Sequence, residues 1–386
     1  MNDIQRWPAR SALMVAHCAG MVDLVALPVW VGTLMSRYGL DAQQAGALAT
    51  LFLAGAVLAS AWLAPRFHGL NGRWIAPAAF GTAALAFFAC SQVSQFGALA
   101  ALHLAGGLAN GVGLSVTHGT VARTGNPQRL FGIMQTMLGV FGVIFMAATP
   151  QLIGALGGPA LFGVFGGVML VASLVTGLFF PDVAAAGGQQ AVSRKAAKLS
   201  ASVWFGIWGI SVMAIVQGMV FSFMERMGAD RGFSVSQLNG LLIAVGLFNL
   251  LPGVIAALFQ ARINARVVVL CGATAQGVLA MLLASSTAFE PYAAAGAVFV
   301  AVMVFTHIFA FGQFAALDPS GRAAAATPAM TMIGAAVGPI LGGTLVKLSG
   351  YPALGMAALV LDVLAFALFM RLALRPAASY AESPVR

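Results

Sequence analysis

Between Arg73 and Arg123 the chain runs for 49 residues without an Asp, Glu, Lys or Arg, and between Arg129 and Asp182 for 52. A membrane-crossing helix needs about 20 mostly apolar residues. Each of these runs therefore holds two such helices and a tight turn. The runs are solidly apolar, without the alternation of a membrane β-barrel strand. Only 8% of all residues are charged, against roughly 25% in a soluble domain, and the mean hydropathy is +0.94. That charge cannot cover a soluble globule, and the apolar content is far too high for a disordered chain.

Counting onward gives twelve spans, at 11–36, 43–64, 75–94, 97–122, 130–153, 159–180, 202–225, 238–260, 267–287, 291–315, 323–347 and 351–371. The longest polar insertion, 182–201, holds Gly187-Gly188, Gln189-Gln190 and a basic cluster at the chain's midpoint. Expected domains are a six-helix bundle over 1–181, a linker over 182–201, and a second bundle over 202–386 ending in a short tail. This is the hydropathy layout of two parallel repeats. The net charge of +9 would suggest nucleic acid in a soluble protein. Here the basic residues sit in short loops, so the partner is the bilayer and no nucleic acid is expected. Fifteen of the 19 Lys and Arg fall on the side shared with the termini. Arg37, Arg226, Arg231 and Lys347 fall on the other. That asymmetry predicts cytoplasmic termini and a bacterial inner membrane. Residues 1–10 are polar and lead into a long span, so no cleaved signal peptide is expected. Cys18, Cys90 and Cys271 are far apart, without CxxC, and imply neither a disulfide nor a zinc framework.

Local motifs add a resemblance. Leu63-Ala64-Pro65-Arg66-Phe67 and Gly72-Arg73-Trp74 follow span 2, Asn126-Pro127-Gln128-Arg129 precedes span 5, and Asp318-Pro319-Ser320-Gly321-Arg322 precedes span 11. With the six-plus-six layout, these resemble the major facilitator superfamily and its loop 2–3 signature, here with Pro65 in place of the family's Asp. Span 11 carries Gly334-x-x-x-Gly338-Pro339-x-x-Gly342-Gly343, which resembles the family's antiporter motif, usually found in span 5. The resemblance implies an all-α membrane fold of two pseudo-symmetric bundles. It also implies a monomer that moves a small solute by alternating access, with spans 1, 4, 7 and 10 lining the cavity. Arg66, Arg73, Arg129, Arg322, Gly338 and Pro339 then become gating or conformational positions. Glycine and proline there also serve close packing and bending alone.

Ionisable groups inside spans are costly, roughly 2.5–3.5 kcal/mol on insertion scales, so each is a functional candidate. Asp23 lies in the middle of span 1, with Trp30 on nearly the same face seven residues on. Together they can hold a proton, or a cation against an aromatic face. The alternative is an Asp bonded to a neighbouring helix. His103 and Asn110 share a face of span 4 and can line the same cavity, with His103 as a coupling partner for the carboxylate, or be bonded within the bundle. His118, near the end of span 4, reads as a gate, and His17 as structural. His307, Gln135, Gln217, Asn249 and Gln313 complete the solute or proton candidates, each equally able to join helices. Asp362, on an outer helix, reads as a structural bond. Glu225 and Arg226 read as an outer gate or a solvated helix end. Met14, Cys18 and Met21, with His17 adjacent, permit a soft-metal reading, though methionine at this spacing usually packs.

The expected function is a proton-coupled secondary transporter of a small organic solute, leaning to export. The alternatives are a proton-symporting importer of a small organic nutrient or a soft-metal transporter. With no Lys or Arg in mid-span, a neutral, weakly acidic or cationic lipophilic solute fits best. No cofactor or bound metal is expected. No nucleotide-binding loop, GxSxG or HExxH occurs, and Gly113-Leu114-Ser115-Val116-Thr117 misses GxSxG by one residue, so no enzyme is expected.

Overall fold

The computed structural model describes residues 6–63, 71–121, 124, 127–181, 200–259, 262–317 and 327–372. Among these, every regular element is a helix. Twelve stretches are long and apolar enough to cross a membrane, and they are numbered here as spans 1 to 12. They are Trp7–Arg37, Ala42–Leu63, Gly72–Cys90, Phe96–Val121, Leu130–Leu156, Pro159–Phe179, Ala201–Asp230, Val235–Ala256, Ala265–Ser285, Phe289–Phe314, Met330–Ser349 and Tyr351–Met370. The larger differences from expectation are at span 1, which begins four residues earlier, spans 3 and 8, which each end four earlier, and span 7, which ends five later; span 11 is counted from Met330, and the first residues expected of it, 323–326, lie outside the described residues. The inter-span loops carrying Arg66 and Arg322, and nearly all of the linker, lie outside the described residues.

Three spans are broken. Span 1 breaks at Met21, between helices Trp7–Gly20 and Val22–Arg37. The Asn110 Nδ2 of span 4 donates to the Gly20 carbonyl across that break, at 3.0 Å. Span 7 breaks at Ser222-Phe223 and resumes as Met224–Asp230. Span 8 breaks at Asn249-Leu250, where Pro252 opens the next helix, Leu251–Phe259. Breaks at membrane depth persist only where neighbouring groups satisfy the freed backbone.

The chain is a repeat with a fixed offset of 193 residues, and its turn chemistry shows it. The glycines with positive φ form two pairs, Gly39 (65°) with Gly232 (82°) and Gly157 (85°) with Gly350 (73°). Both pairs turn the chain on the side remote from the termini, in a left-handed conformation that favours glycine. Span 2 opens with a reciprocal cap: Gln44 N–H donates to Asp41 Oδ1 at 2.9 Å, and Asp41 N–H to Gln44 Oε1 at 3.2 Å. Span 8 opens with the same device at Ser234 and Gln237, each 193 residues on. Asn71 caps span 3 by accepting from the Arg73 N–H, and Asn264 caps span 9 by accepting from that of Arg266. Equivalent caps at a constant offset mean that the two bundles start and stop their helices by the same local physics.

Within the first bundle, span 4 lies directly on span 2. A Cβ at Gly107 would strike the Phe52 backbone, and one at Gly111 the Ala56 backbone. Within the second, Gly334, Gly338 and Gly342 bring span 11 onto the backbone of span 7 around Ser211, Gly218 and Met219. With no hydrophobic force between helices in lipid, such close approach supplies the association. Gly107→Ala is therefore expected to overpack this contact and cost about 1–3 kcal/mol. A lowered thermal midpoint in detergent checks this, and an unchanged midpoint would show that spans 2 and 4 have room to part.

Candidate functional site

Span 1 runs antiparallel to span 4, and polar groups line up along their seam. Nearest the termini side, His17 Nδ1 lies 3.0 Å from His118 Nε2. At the break, Asn110 holds the Gly20 carbonyl. Asp23 follows in the first turn of the second helix of span 1. Nearer the remote side, Trp30 stacks on His103, with centroids 5.4 Å apart and planes at 25°.

Asp23 is 1% exposed. Its Oδ1 accepts the Leu24 N–H at 2.9 Å, while Oδ2 is buried without a hydrogen-bond partner. Asn110 Oδ1, on the same seam, is also buried and unpartnered. A carboxyl oxygen with no donor, in a bundle interior, has only a proton to satisfy it from within. Trp30 and His103 lie further along the same seam. Both are completely buried among Phe52, Phe87 and Phe165, so neither faces an open cavity. His103 Nδ1 is bound to its own helix at the Leu99 carbonyl, 2.7 Å away.

In the second bundle, Gln276 Nε2 donates to the Met213 carbonyl at 3.1 Å and reaches Gln217 Oε1 at 3.4 Å. His307 stacks on Phe311, and its Nδ1 is buried and unpartnered. So are Asn249 Oδ1, at the break of span 8, and Gln313 Oε1. Asp362 is 2% exposed and packs against Gly277 with neither carboxyl oxygen bonded, so the interhelical bond expected of it is not made. Gln276 and Asp362 are thus a second set of buried polar groups that the expected cavity helices did not include. Gln135 is exposed on span 5, where it approaches His17. Arg73 is exposed at the start of span 3, and the Arg129 side chain lies outside what is described. An apolar groove of about 940 Å³ runs between spans 2, 3 and 4, lined by Leu58, Trp62, Trp74, Ala79 and Leu108 among others. It contains none of the predicted site residues.

The two bundles meet along a seam that runs from mid-span to the remote side. Thr50 Oγ1 donates to the Ala336 carbonyl at 2.7 Å and accepts the Ile340 N–H at 3.2 Å. Gln43 Nε2 donates to Thr344 Oγ1 at 3.3 Å, and Lys347 pairs with Asp41 at 2.9 Å. Gly46 lies under the Pro339 carbonyl and Gly343 under that of Ala42. The span 11 motif thus packs on two faces: Gly334, Gly338 and Gly342 within its own bundle, Pro339 and Gly343 against the other. Glu225 packs on Gly32, its counterpart one repeat earlier, so it belongs to this seam and not to a solvated helix end. Arg226 pairs with Asp230 at 2.7 Å, and Asp230 accepts the Tyr351 hydroxyl.

Slight burial opposes ionisation of Asp41, but the Gln44 N–H, the Lys347 ammonium and the Gln43 N–H together hold its carboxyl below the usual carboxylate range. A carboxyl lowered in the closed state favours closure above its ordinary value, and that contribution disappears as the pH falls through the lowered one. The pair is exposed, so its effect is expected to be small and salt-screened. Disulfide trapping between Gln43→Cys and Thr344→Cys should become slightly slower in Asp41→Asn, and less so at high salt. A large slowing would show that the ion pair, and not the glycine contacts, holds the seam.

Twelve apolar helices in two repeat-related bundles, with buried polar groups in each and a seam between them, define a polytopic helical membrane protein. A family model described as Major Facilitator Superfamily matches residues 12–326, and the chain belongs to this family of small-solute transporters. A comparison with curated proteins finds no match. Among solved structures, the nucleoside transporter NupG is similar at 15% identity, with 97% of this chain and 100% of that one covered and a TM-score of 0.72. A bacterial homologue of the human lysosomal transporter Spinster, inward-facing and occupied, is 15% identical over 95% of both chains, with a TM-score of 0.68. The human organic anion transporter MFSD10 is 15% identical, with 94% of this chain and 99% of that one covered and a TM-score of 0.62. These likenesses carry the fold.

Proposed function

We propose that the protein is a proton-coupled carrier of a small organic solute across a bacterial inner membrane, with its termini in the cytoplasm. The observation that carries this is the Asp23 carboxyl, which is buried at a helix break with one oxygen unpartnered. A carboxyl in that setting is a group that takes up and releases a proton as its surroundings change. The seam closed on the side remote from the termini supports an inward-facing resting state. Alternating access then consists of opening this seam while the termini side closes.

No Lys or Arg stands in the middle of any span, which favours uncharged or weakly charged solutes over strong anions. A nucleoside-like solute, uncharged and capable of stacking, lies within that range. The similarity to a nucleoside transporter supports testing it first.

The test uses purified protein in liposomes with a trapped pH dye. Nucleosides, organic acids and lipophilic cations are added in turn. Proton movement set off by one solute class is expected, and its direction separates import by symport from export by exchange. Silence of folded protein across the whole panel would sink the proton-coupled reading.

A further inference from the structure

The His17–His118 pair lies outside the function proposed above. The two residues are 101 apart in sequence and come from spans 1 and 4. His17 is 3% exposed. The facing nitrogens, His17 Nδ1 and His118 Nε2, are 3.0 Å apart. Phe131 of span 5 stands edge-on to the His118 ring. On the far side of the His17 ring, Nε2 is buried without a partner in hydrogen-bonding geometry, and the Gln135 side chain of span 5 interacts with His17.

We propose that His17 and His118 form a two-imidazole site for a divalent transition-metal cation of the zinc, nickel or copper class. Zn–N bonds of about 2.0–2.1 Å at tetrahedral angles place two ligand nitrogens roughly 3.3 Å apart. The observed 3.0 Å therefore needs only a small separation of the rings to admit the ion. Imidazole nitrogens suit these metals. A liganding histidine ordinarily donates its other N–H to an oxygen that fixes its tautomer, and the Gln135 side chain, which interacts with His17, is the neighbouring group of the right type for that part. Among the described residues no group of three or more His, Cys, Asp or Glu could hold a metal. The site therefore supplies two protein ligands and leaves the other positions to water. Such a site exchanges its ion and is not a permanent structural one. Neither Asp23 nor proton coupling is required for it. A bound ion pins span 1 to span 4 at the termini end of their seam.

The test is a Zn²⁺ titration of tag-free protein in lipid nanodiscs by calorimetry. One ion per chain is expected, with at least tenfold weaker binding in His17→Gln and in His118→Gln. Gln135→Leu should weaken binding by roughly tenfold, while His307→Gln leaves it unchanged. Should the seam variants fail to fold, Cu²⁺ bound to the wild type is read by electron paramagnetic resonance, where coupling to two imidazole nitrogens is expected. Absence of binding, equal binding in both folded seam variants, or coupling to fewer than two nitrogens would overturn the site.

Discussion

Asp23→Asn is expected to abolish solute-driven proton movement, at least a hundredfold below the wild type, while the protein remains folded. Asn keeps an oxygen for the Leu24 N–H, which Asp23 Oδ1 accepts at 2.9 Å. It presents an amide where the unpartnered Oδ2 stands, and it cannot gain or lose a proton in the working pH range. The change therefore removes the titration and little of the packing. Exchange of labelled for unlabelled solute, which needs no net proton movement, should persist. Thermal stability should be equal or higher, because a buried carboxyl without a donor is costly to keep. Proton movement that survives in a folded Asp23→Asn protein would move the coupling role to Asp362 or His307, each of which also carries a buried polar atom without a partner.

The second large effect concerns closure. A side chain at Gly46 would run into the Pro339 carbonyl, and one at Gly343 into that of Ala42. Gly46→Val and Gly343→Val should therefore hold the bundles apart on the remote side without disturbing either bundle's interior. Net transport is expected to fall at least a hundredfold. Thr50→Cys, shielded where Thr50 binds Ala336 and Ile340, should become open to membrane-impermeant thiol reagents. Gln43→Cys and Thr344→Cys should no longer cross-link. Gly240→Val, where a Cβ would meet open space, serves as the control. Normal transport by a folded Gly46→Val protein would show that turnover does not need the seam.

Spans were legible because lipid demands long apolar runs, and that demand is local to each run. The repeat was legible as a hydropathy layout, and its finer marks came only with the structure. Gly39, Asp41 and Gln44 recur as Gly232, Ser234 and Gln237 at a constant offset, as do Asn71 and Gly157 with Asn264 and Gly350. Asp23 could be found because a charge in mid-span stands out by type alone. Its surroundings could not. Periodicity placed Trp30 on its face and His103 toward the same cavity, but whether a face meets solvent or other rings depends on spans 2, 3 and 6. The break at Met21 leaves no mark in composition, because the group that holds the freed carbonyl, Asn110, is 90 residues away. The His17–His118 pair escaped for the same reason. Read alone, His17 is structural and His118 a gate, and only the antiparallel course of spans 1 and 4 joins them. The glycines of span 11 signalled closeness without saying to what, and they proved to serve two partners at once.

The seam between the bundles also bears on tempo. Among the described residues it is made largely of short backbone approaches and neutral hydrogen bonds, with the exposed Asp41–Lys347 pair at its rim. Such contacts release all together or not at all, because a glycine lodged under a carbonyl has no partly withdrawn position that keeps its partner. The waiting time of the empty carrier is then governed by one cooperative parting, largely indifferent to ionic strength. A solute need only lower that single barrier to hasten the cycle, whatever its own charge.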